Sequence, residues 1–426
     1  MKTGPRLAKS LLFLIVSILI IEIIRNASRD GDFIGYVNAG NLVLSGDRIY
    51  NDFLNTWPPL FAVLCVPLAL GDHVSSFGIR FIWLAGNALA FVGVVWLTAN
   101  LFLNKNQSWK IRPSGISAQH AALLIPALVS MRFVMDNLAN LQVNLFMLLG
   151  AVAAMFFFSR GKDLPAGIIL GFTISLKVFT VFFLLYFLFK KAFKAAGWTI
   201  LFTLLFSSIP FLVFGFDLAE SFYHEWFFKI SPKSFVAQHK NQSVFAMMLR
   251  FLTTEHTGHA LQVNVLSLDP KIVKQGTYGL IFLLSIWPMA LMRQGLADRQ
   301  TPRALLEYSI VFSLIPLLSP VAWKAYFVFL FVPWFFMYLM LYQTESAKKI
   351  KHEKTLKGLF WTSIMINVFS SELFVGRWVS DVLELYSGIT FGTLSLLLAQ
   401  LILLQSIEQI AFIKLQKVGI YRIFGR

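Results

Sequence analysis

The sequence predicts an all-α polytopic membrane protein with about 12 transmembrane helices, some of them broken, and with interfacial helices on the extracytoplasmic side. Hydrophobic residues make up 57% of the 426 residues and charged residues only 14%, whereas soluble domains carry roughly 25% charged residues. Apolar runs of about 15–25 residues recur along the whole chain, which is the length that crosses a hydrocarbon core of roughly 30 Å. The single cysteine, Cys65, excludes a disulfide framework and is predicted to be a small core residue.

Basic residues determine the predicted orientation. The net charge of +16 could suggest nucleic acid, but the basic residues cluster between apolar runs, as they do in cytoplasmic loops. We therefore expect membrane lipids as partners and no nucleic acid. Lys2, Arg6 and Lys9 precede the apolar stretch Leu11–Ile24, which could be a cleaved signal but is long and is followed by many further spans. We interpret it as an uncleaved first helix, with its N-terminus inside, of a multi-pass protein of the cell (inner or plasma) membrane.

Two apolar stretches predict irregular helices. Trp57–Leu70 is only about 14 residues long and begins with a double proline, which favours a re-entrant or shallow helix. Ala166–Phe189 is interrupted at Lys177, which favours two half-length helices that turn back at a polar break. One full helix there, with a true crossing at Trp57, is the alternative. The predicted spans are Leu7–Ile24, Phe77–Leu103, Ile116–Phe133, Leu141–Phe158, Ala166–Leu176, Val178–Phe189, Gly197–Phe214, Gly276–Leu291, Ala304–Leu318, Trp323–Tyr342, Gly358–Leu373 and Leu385–Ile410.

This topology places the polar stretches on the extracytoplasmic face. Residues 25–57 form the first outer loop with its interfacial helix, and residues 215–275 form a long outer loop of helices on the membrane surface. The long loop is too short for an independent domain. Residues 1–426 are therefore predicted to form one integral membrane domain.

The first outer loop contains an acidic residue at a predicted helix start. Asp32 and Tyr36 are four positions apart and share a helical face, while Phe33 and Val37 are apolar, as in an interfacial helix. Asp32 is therefore a candidate catalytic residue held near the membrane surface. The alternative is that Asp30 and Asp32 only cap this helix, because aspartate is a favoured N-cap residue.

Other polar residues on the outer face are candidate substrate contacts. Trp57 lies beside the double proline, although it could be a belt tryptophan at the membrane edge. Asn140 and Gln142 enter an otherwise apolar helix, where amides also bond neighbouring helices. Lys177 is a charge inside a membrane segment, which indicates a function and a partner.

Two later stretches add further candidates. The long outer loop contains basic and amide residues before an apolar run, and these could bind a phosphate or, equally, lipid headgroups. The second stretch interrupts two apolar helices, although a simple helix hairpin would look the same. The candidate substrate-binding residues of the two stretches are His239, Lys240, Asn241, Gln242, Arg250, Trp323 and Lys324.

The sequence offers no metal or cofactor motif. A Walker A loop, an HExxH motif, a cysteine ligand set and a glycine-rich dinucleotide turn are all missing. The outer histidines are scattered, and His256 with His259 is at best a weak metal pair. Because no dense acidic cluster appears in the outer stretches, we expect no cofactor and no metal.

Six motifs in order make the chain resemble a known family. They are DFIGYVNAGNLVLSGDRIY, WPPLFAVLCVPLAL, NLQVN, SLKVF, NQSVFAMMLR and LSPVAWKAYF, which together extend over nearly the whole chain. In this order they resemble glycosyltransferase family 87, the polyprenol-phosphate-mannose-dependent mannosyltransferases of bacteria. The chain departs from the family pattern at Lys324–Ala325, where many relatives have histidine, and at Leu141, where glycine is usual.

The resemblance implies a glycosyltransferase C fold with an extracytoplasmic active site. It implies that Asp32, in a DFxxY motif, is the catalytic base that moves a sugar, mannose by family default, from a polyprenyl-phosphate donor. The acceptor would be a lipid-linked or cell-envelope glycan. A transporter or lipid flippase is the alternative class, because broken helices and an intramembrane charge also describe those proteins. A membrane scaffold without enzymatic activity is a third class.

Overall fold

The computed structural model describes residues 5–52, 54–102, 121–231, 236–296, 298–343 and 351–407. Within these ranges the chain is helical and contains no strand. The α-helices are α1 Pro5–Asn26, α2 Phe33–Ser45, α3 Pro59–Leu64, α4 Val66–Val74, α5 Ser76–Phe102, α6 Ala121–Ala139, α7 Asn144–Ser159, α8 Asp163–Leu176, α9 Val181–Phe189, α10 Phe193–Phe214, α11 Phe216–Glu225, α12 Val244–Leu252, α13 Pro270–Leu291, α14 Pro302–Leu318, α15 Phe331–Tyr338, α16 Glu353–Phe369, α17 Glu372–Leu385 and α18 Gly388–Ser406.

The chain divides into two compact units. The first unit comprises Leu19–Leu97 and Val134–Phe235. The second unit comprises Met1–Ile18, Thr98–Phe133 and Val236–Arg426. Each unit contains some of the candidate site residues.

In the first unit, α2 lies close against α3 and α4 because a glycine faces them. A Cβ added at Gly40 would lie 2.5 Å from the Cys65 carbonyl oxygen and 2.8 Å from the Ala69 Cβ. Cys65 separates α3 from α4, and Pro67 follows in the first turn of α4, where its missing N–H costs no hydrogen bond. Cys65 is 1% exposed, which confirms the predicted core position.

Helices α7, α8 and α10 of the first unit also pack through glycines. Gly150 of α7 faces the side chain of Thr173, and Gly167 and Gly171 of α8 face the backbone of α10. Small residues of this kind let helix backbones approach closely in a membrane. The opposite side of α10 is different, because α10 buries only Ala195, Ala196, Thr199 and Pro210 of its 22 residues. An apolar helix with so little burial inside the protein is suited to contact with lipid.

The second unit joins its helices by buried polar contacts. Gln400 of α18 accepts a hydrogen bond from Ser313 of α14 at 2.7 Å and donates one to Ser309 at 2.7 Å. All three side chains are 0% exposed. Paired buried amides and hydroxyls of this kind fix the register of neighbouring helices, because an unpaired polar group would be costly there.

The helix content confirms the predicted helical membrane class, but about 12 spans are not confirmed. Among the described residues, four helices are long and apolar enough to cross a membrane, or five if the bent pair α16–α17 counts as one span. Those four are Ser76–Phe102, Phe193–Phe214, Lys324–Tyr342 and Gly388–Ser406. The predicted span Leu141–Phe158 corresponds to a shorter apolar helix, Asn144–Ser159, and the two predicted half-length helices correspond to the shorter apolar helices Asp163–Leu176 and Val178–Phe189. The predicted residues 103, 116–120 and 408–410 lie outside the described residues.

The predicted break at Lys177 is confirmed: α8 ends at Leu176, and Lys177 has an extended backbone with φ −154° and ψ 106°. The alternative of one full helix is therefore wrong. The predicted span Gly358–Leu373 is also wrong at its end, because α16 stops at Phe369 and α17 continues after a bend of 89°.

Candidate active site

Asp32 occupies the N-cap position of α2, but its side chain does not cap the helix. Its carboxylate Oδ2 instead accepts a hydrogen bond of 2.8 Å from Nε2 of Gln142. Asp30 does not cap either, because its side chain pairs with Arg80 at 2.9 Å and remains 70% exposed. The capping interpretation therefore fails for the Asp32 carboxylate, which is held by a residue distant in sequence.

A chain of amides connects Asp32 to Lys177 within the first unit. Gln142 Oε1 accepts from Asn144 Nδ2 at 2.6 Å, and Asn144 Oδ1 accepts from Lys177 Nζ at 2.8 Å. The helix break at Lys177 directs its side chain to this chain of amides. The Asp32 carboxylate and the Lys177 ammonium group are therefore connected through the side-chain amides of Gln142 and Asn144. Asn144 is the first residue of α7.

Burial and charge act in opposite directions on Asp32. Burial raises the pKa of the Asp32 carboxyl above its usual range, and this effect exceeds the lowering by the Lys177 charge and by the Gln142 hydrogen bond. A carboxylate with a raised pKa is a stronger base than an ordinary surface aspartate. Raised carboxyl pKa values of this type concentrate at functional sites.

The segment between α6 and α7 is built to present Gln142. The Asp32 N–H donates to the Asn140 carbonyl at 2.9 Å, and the Trp83 indole donates to the Leu141 carbonyl at 2.9 Å. Leu141 has φ +50°, a left-handed backbone that favours glycine. The Asn140 side chain donates to the Asp136 carbonyl at 2.9 Å.

Tyr36 and Trp57 belong to an aromatic cluster of the first unit. Their ring centroids are 4.7 Å apart, and Tyr36 also packs against Phe61 at 5.1 Å and Trp83 at 5.5 Å. Tyr36 is 1% exposed and Trp57 is 9% exposed. These contacts place both residues in the packing of the first unit, and a role in substrate contact stays a prediction.

In the second unit, Asn241, Gln242 and Arg250 hold backbone segments together. Gln242 Nε2 donates to the carbonyls of His239 at 2.5 Å and Glu384 at 2.7 Å. Asn241 Oδ1 accepts from the N–H groups of Ser243 and Ala322 at 3.2 and 2.9 Å. The Arg250 guanidinium donates to the carbonyls of Gln238 at 2.8 Å and Asn241 at 2.7 Å and to the Ser387 hydroxyl at 2.7 Å.

Arg250 is charged as well as buried. Burial lowers the pKa of Arg250 to about 9, and the charge of Glu384 partly offsets this effect. The guanidinium is therefore protonated at neutral pH. Lys240 differs from its neighbours in that its side chain is exposed.

The Lys324 ammonium group belongs to a network of charged side chains in the second unit that contains the buried carboxylate of Glu384. Its Nζ lies 3.1 Å from Glu384 Oε1 and 3.5 Å from the exposed Glu372. Arg132 also approaches Glu384 Oε1, at 3.2 Å. Trp323, by contrast, is only half-buried, directly before the 3₁₀ turns that begin at Lys324.

Sequence reasoning missed Arg132 and Glu384 as members of this network. Arg132 lies in an apolar run, and the rule that indicated a function for Lys177 applies equally to Arg132. No comparable sequence pattern indicated Glu384, because the apolar residues that follow it gave no sign that α17 ends at Leu385. The predicted proximity of Asp32 to Lys177 is present in the first unit, where two amides connect them. Gln242 and Trp323 belong to the second unit, and their proximity to Asp32 stays a prediction.

The fold and these clusters define a helical membrane protein with a half-buried carboxylate–amide–lysine chain. The family model for glycosyltransferase family 87 matches residues 55–320, more than half of the chain. The chain therefore belongs to glycosyltransferase family 87 and is a membrane glycosyltransferase. No curated protein and no solved structure matches it. Asp32 lies before the matched residues, and Trp323 and Lys324 lie after them, so their roles depend on the geometry and on the motifs.

Proposed function

We propose that this glycosyltransferase moves a sugar, mannose, from a polyprenyl-phosphate donor to a lipid-linked or cell-envelope acceptor on the extracytoplasmic side. Membership of a glycosyltransferase family favours a transferase over the transporter or flippase that the sequence left open. The observation that carries the proposed mechanism is the Asp32 carboxylate, which is half-buried, bonded to Gln142 and not used as a helix cap.

In the proposed reaction Asp32 is the general base. The carboxylate accepts the proton of the acceptor hydroxyl while that oxygen forms a bond to the anomeric carbon of the sugar. The bond from the anomeric carbon to the phosphate oxygen breaks, and its electron pair leaves with polyprenyl phosphate. A single base without a covalent partner favours inversion at the anomeric carbon, through an oxocarbenium-like transition state.

The departing phosphate needs a cation nearby. Lys177 is the first candidate, because the two amides already connect it to Asp32. Arg250 is the second, although its bonds to backbone carbonyls also suit a purely structural role. Lys240 and Lys324 are reserve candidates. Gln142 orients the base, and we propose substrate contacts for Tyr36, Trp57, Asn140, Asn241, Gln242, His239 and Trp323.

The test compares two aspartates that are two positions apart. Purified protein is incubated with labelled polyprenyl-phosphate mannose and a crude lipid acceptor, and transferred label is counted. We expect Asp32→Asn to lower the rate by about 10²–10⁴-fold, the usual worth of a general base. Asp30→Asn, which removes an exposed carboxylate, should retain the rate. Full activity of Asp32→Asn would refute the assignment.

The Asp32→Asn variant is expected to fold. Because the folded-state pKa of Asp32 is raised, folding favours its protonated form; this contribution is complete below the unfolded-state pKa and is lost as the pH rises through the folded-state pKa. Ionised Asp32 therefore costs stability at neutral pH, and a neutral amide avoids that cost. Unfolding midpoints of both variants, measured in detergent, verify this before activity is compared.

The proposed side of the membrane has its own test. Cys65 is buried, so a cysteine introduced at an exposed position can be labelled against a low background. A membrane-impermeant thiol reagent added outside intact cells should label Asp30→Cys and should label Lys162→Cys only after the cells are opened. The reverse pattern would place the base on the cytoplasmic side.

A further inference from the structure

A second cluster of titratable side chains lies in the second unit and takes no part in the proposed proton transfer. His239 precedes α12, and Asp381 and Glu384 are three positions apart on α17. One potential ligand atom from each of the three residues lies within 4.8 Å of the other two. The sequence concealed this cluster, because His239 and α17 are far apart along the chain.

A hydrogen bond to the Thr257 carbonyl orients the His239 ring as a potential metal ligand. Its Nδ1 lies 3.0 Å from the Thr257 carbonyl oxygen, which can only accept, so Nδ1 carries the hydrogen. The lone pair of the neutral ring is then on Nε2. That atom is buried, makes no hydrogen bond to any residue that the structure describes, and lies 3.8 Å from Asp381 Oδ1. A histidine oriented through its other nitrogen by a carbonyl is the usual arrangement at metal sites.

Glu384 also has one oxygen without a donor among the described residues. Its Oε1 lies near Lys324 and Arg132, whereas its Oε2 is buried and accepts no hydrogen bond within the described ranges. A buried carboxylate oxygen without a partner is costly. The cluster therefore contains two buried atoms with free lone pairs, Nε2 of His239 and Oε2 of Glu384, beside the carboxylate of Asp381.

Gln242 holds the two buried ligand residues together. The two hydrogens of its Nε2 reach the backbone carbonyls of His239 and Glu384, at 2.5 and 2.7 Å. The hydroxyl of Thr390 donates to the Gln242 carbonyl at 2.8 Å, which attaches the same segment to α18. This arrangement is preorganised, because the backbones of both ligands are fixed independently of their side chains.

We propose that His239, Asp381 and Glu384 bind a divalent transition-metal ion, with zinc as the best match. Ligands about 2.1 Å from a tetrahedral ion lie roughly 3.4 Å from one another, so the 3.8 Å between Nε2 and Asp381 Oδ1 needs only a small rotation. The three residues offer one imidazole nitrogen and two carboxylates, and an imidazole ligand favours zinc over Mg²⁺ or Ca²⁺, which prefer oxygen ligands.

Zinc binding by the full-length protein in detergent tests the proposal. The protein is stripped with a chelator, and zinc affinity is measured by competition with a chromophoric chelator, without sugar donor or acceptor. We expect one ion per chain in the wild type and no binding at micromolar zinc in His239→Ala or Glu384→Gln. His256→Ala, which removes an exposed histidine of the same loop, should bind as the wild type does.

Two further variants keep the test decisive if a core variant fails to fold. Asp381→Asn changes a residue with a partly exposed side chain and should abolish the intense visible bands of bound cobalt, which report tetrahedral coordination. Gln242→Leu leaves all three ligands in place and should weaken zinc by about 10–100-fold, as other outer-shell changes do. Equal zinc binding by all variants, or none by the wild type, would overturn the proposal. Because no sugar is present, this failure is distinct from a failure of the proposed transfer.

Discussion

The Asp32 carboxylate has the two properties that a general base at neutral pH requires. It must be ionised, which the Lys177 charge and the Gln142 hydrogen bond favour, and it must be basic, which burial favours. Gln142 donates to Asp32 and accepts from Asn144 with the same side-chain amide. Gln142 therefore connects the base to Asn144, which accepts a hydrogen bond from Lys177.

The pH dependence of transfer follows from these contacts. Activity requires ionised Asp32, so it should fall as the pH decreases through a pKa that lies above the ordinary aspartate range. Gln142→Leu removes a contact that lowers this pKa, so the acid limb should move to higher pH. A pH–rate profile of the wild type and the variant measures the shift. A limb that stays in place, or that moves to lower pH, would show that Gln142 does not stabilise the ionised base.

Replacing Leu141 by glycine would change the free energy of unfolding through two opposing effects. Its left-handed backbone costs about 1–2 kcal/mol, which glycine would remove. Its side chain is 0% exposed, and loss of a buried leucine costs about 2–5 kcal/mol. The burial effect is larger, so we expect Leu141→Gly to lower the unfolding midpoint in detergent, although glycine fits the family pattern.

A matched variant separates the two effects at Leu141. Gly46 also has a left-handed backbone, φ +73°, but a Cβ added there meets nothing within 4 Å. Gly46→Ala should therefore cost only the backbone effect, about 1–2 kcal/mol. A Leu141→Gly protein as stable as the wild type would mean that the strain at Leu141 is larger than the backbone effect measured at Gly46.

At the scale of helices, the pairing of α2 with α3 and α4 depends on Gly40. An alanine Cβ there would clash with the Cys65 carbonyl and the Ala69 Cβ, both of which belong to the backbone or are rigidly attached to it. Overpacking of this kind costs about 1–3 kcal/mol, so Gly40→Ala should lower the unfolding midpoint and the transfer rate together.

The control for this prediction is a helical glycine in open surroundings. A Cβ at Gly276 of α13 meets nothing within 4 Å, so Gly276→Ala should leave stability unchanged or raise it by up to about 1 kcal/mol. Thermal unfolding in the same detergent compares both variants. Equal effects at Gly40 and Gly276 would contradict the close packing of α2.

At the scale of the whole molecule, the sequence predicted the helical membrane class and the break at Lys177 because composition and an isolated charge are local signals. It did not predict the Asp32–Gln142 contact or the cluster of His239 with α17, because contacts between distant segments leave no trace in spacing. The bend between α16 and α17 was missed for another reason: Ser370 and Ser371 interrupt the apolar pattern too briefly to indicate the end of a helix.

The lengths of the helices around Lys177 have a consequence for the lipid that surrounds them. Helix α7 has 16 residues, α8 has 14 and α9 has 9, which correspond to about 24, 21 and 14 Å against a hydrocarbon layer of roughly 30 Å. Such a mismatch costs fractions of a kcal/mol per Å and is relieved where the bilayer becomes thinner. A thinned leaflet would bring the headgroup of a lipid-borne donor closer to Lys177. Transfer should therefore be faster in vesicles of short acyl chains than in vesicles of long ones, and an acyl-chain series with equal rates would show that membrane thickness does not matter here.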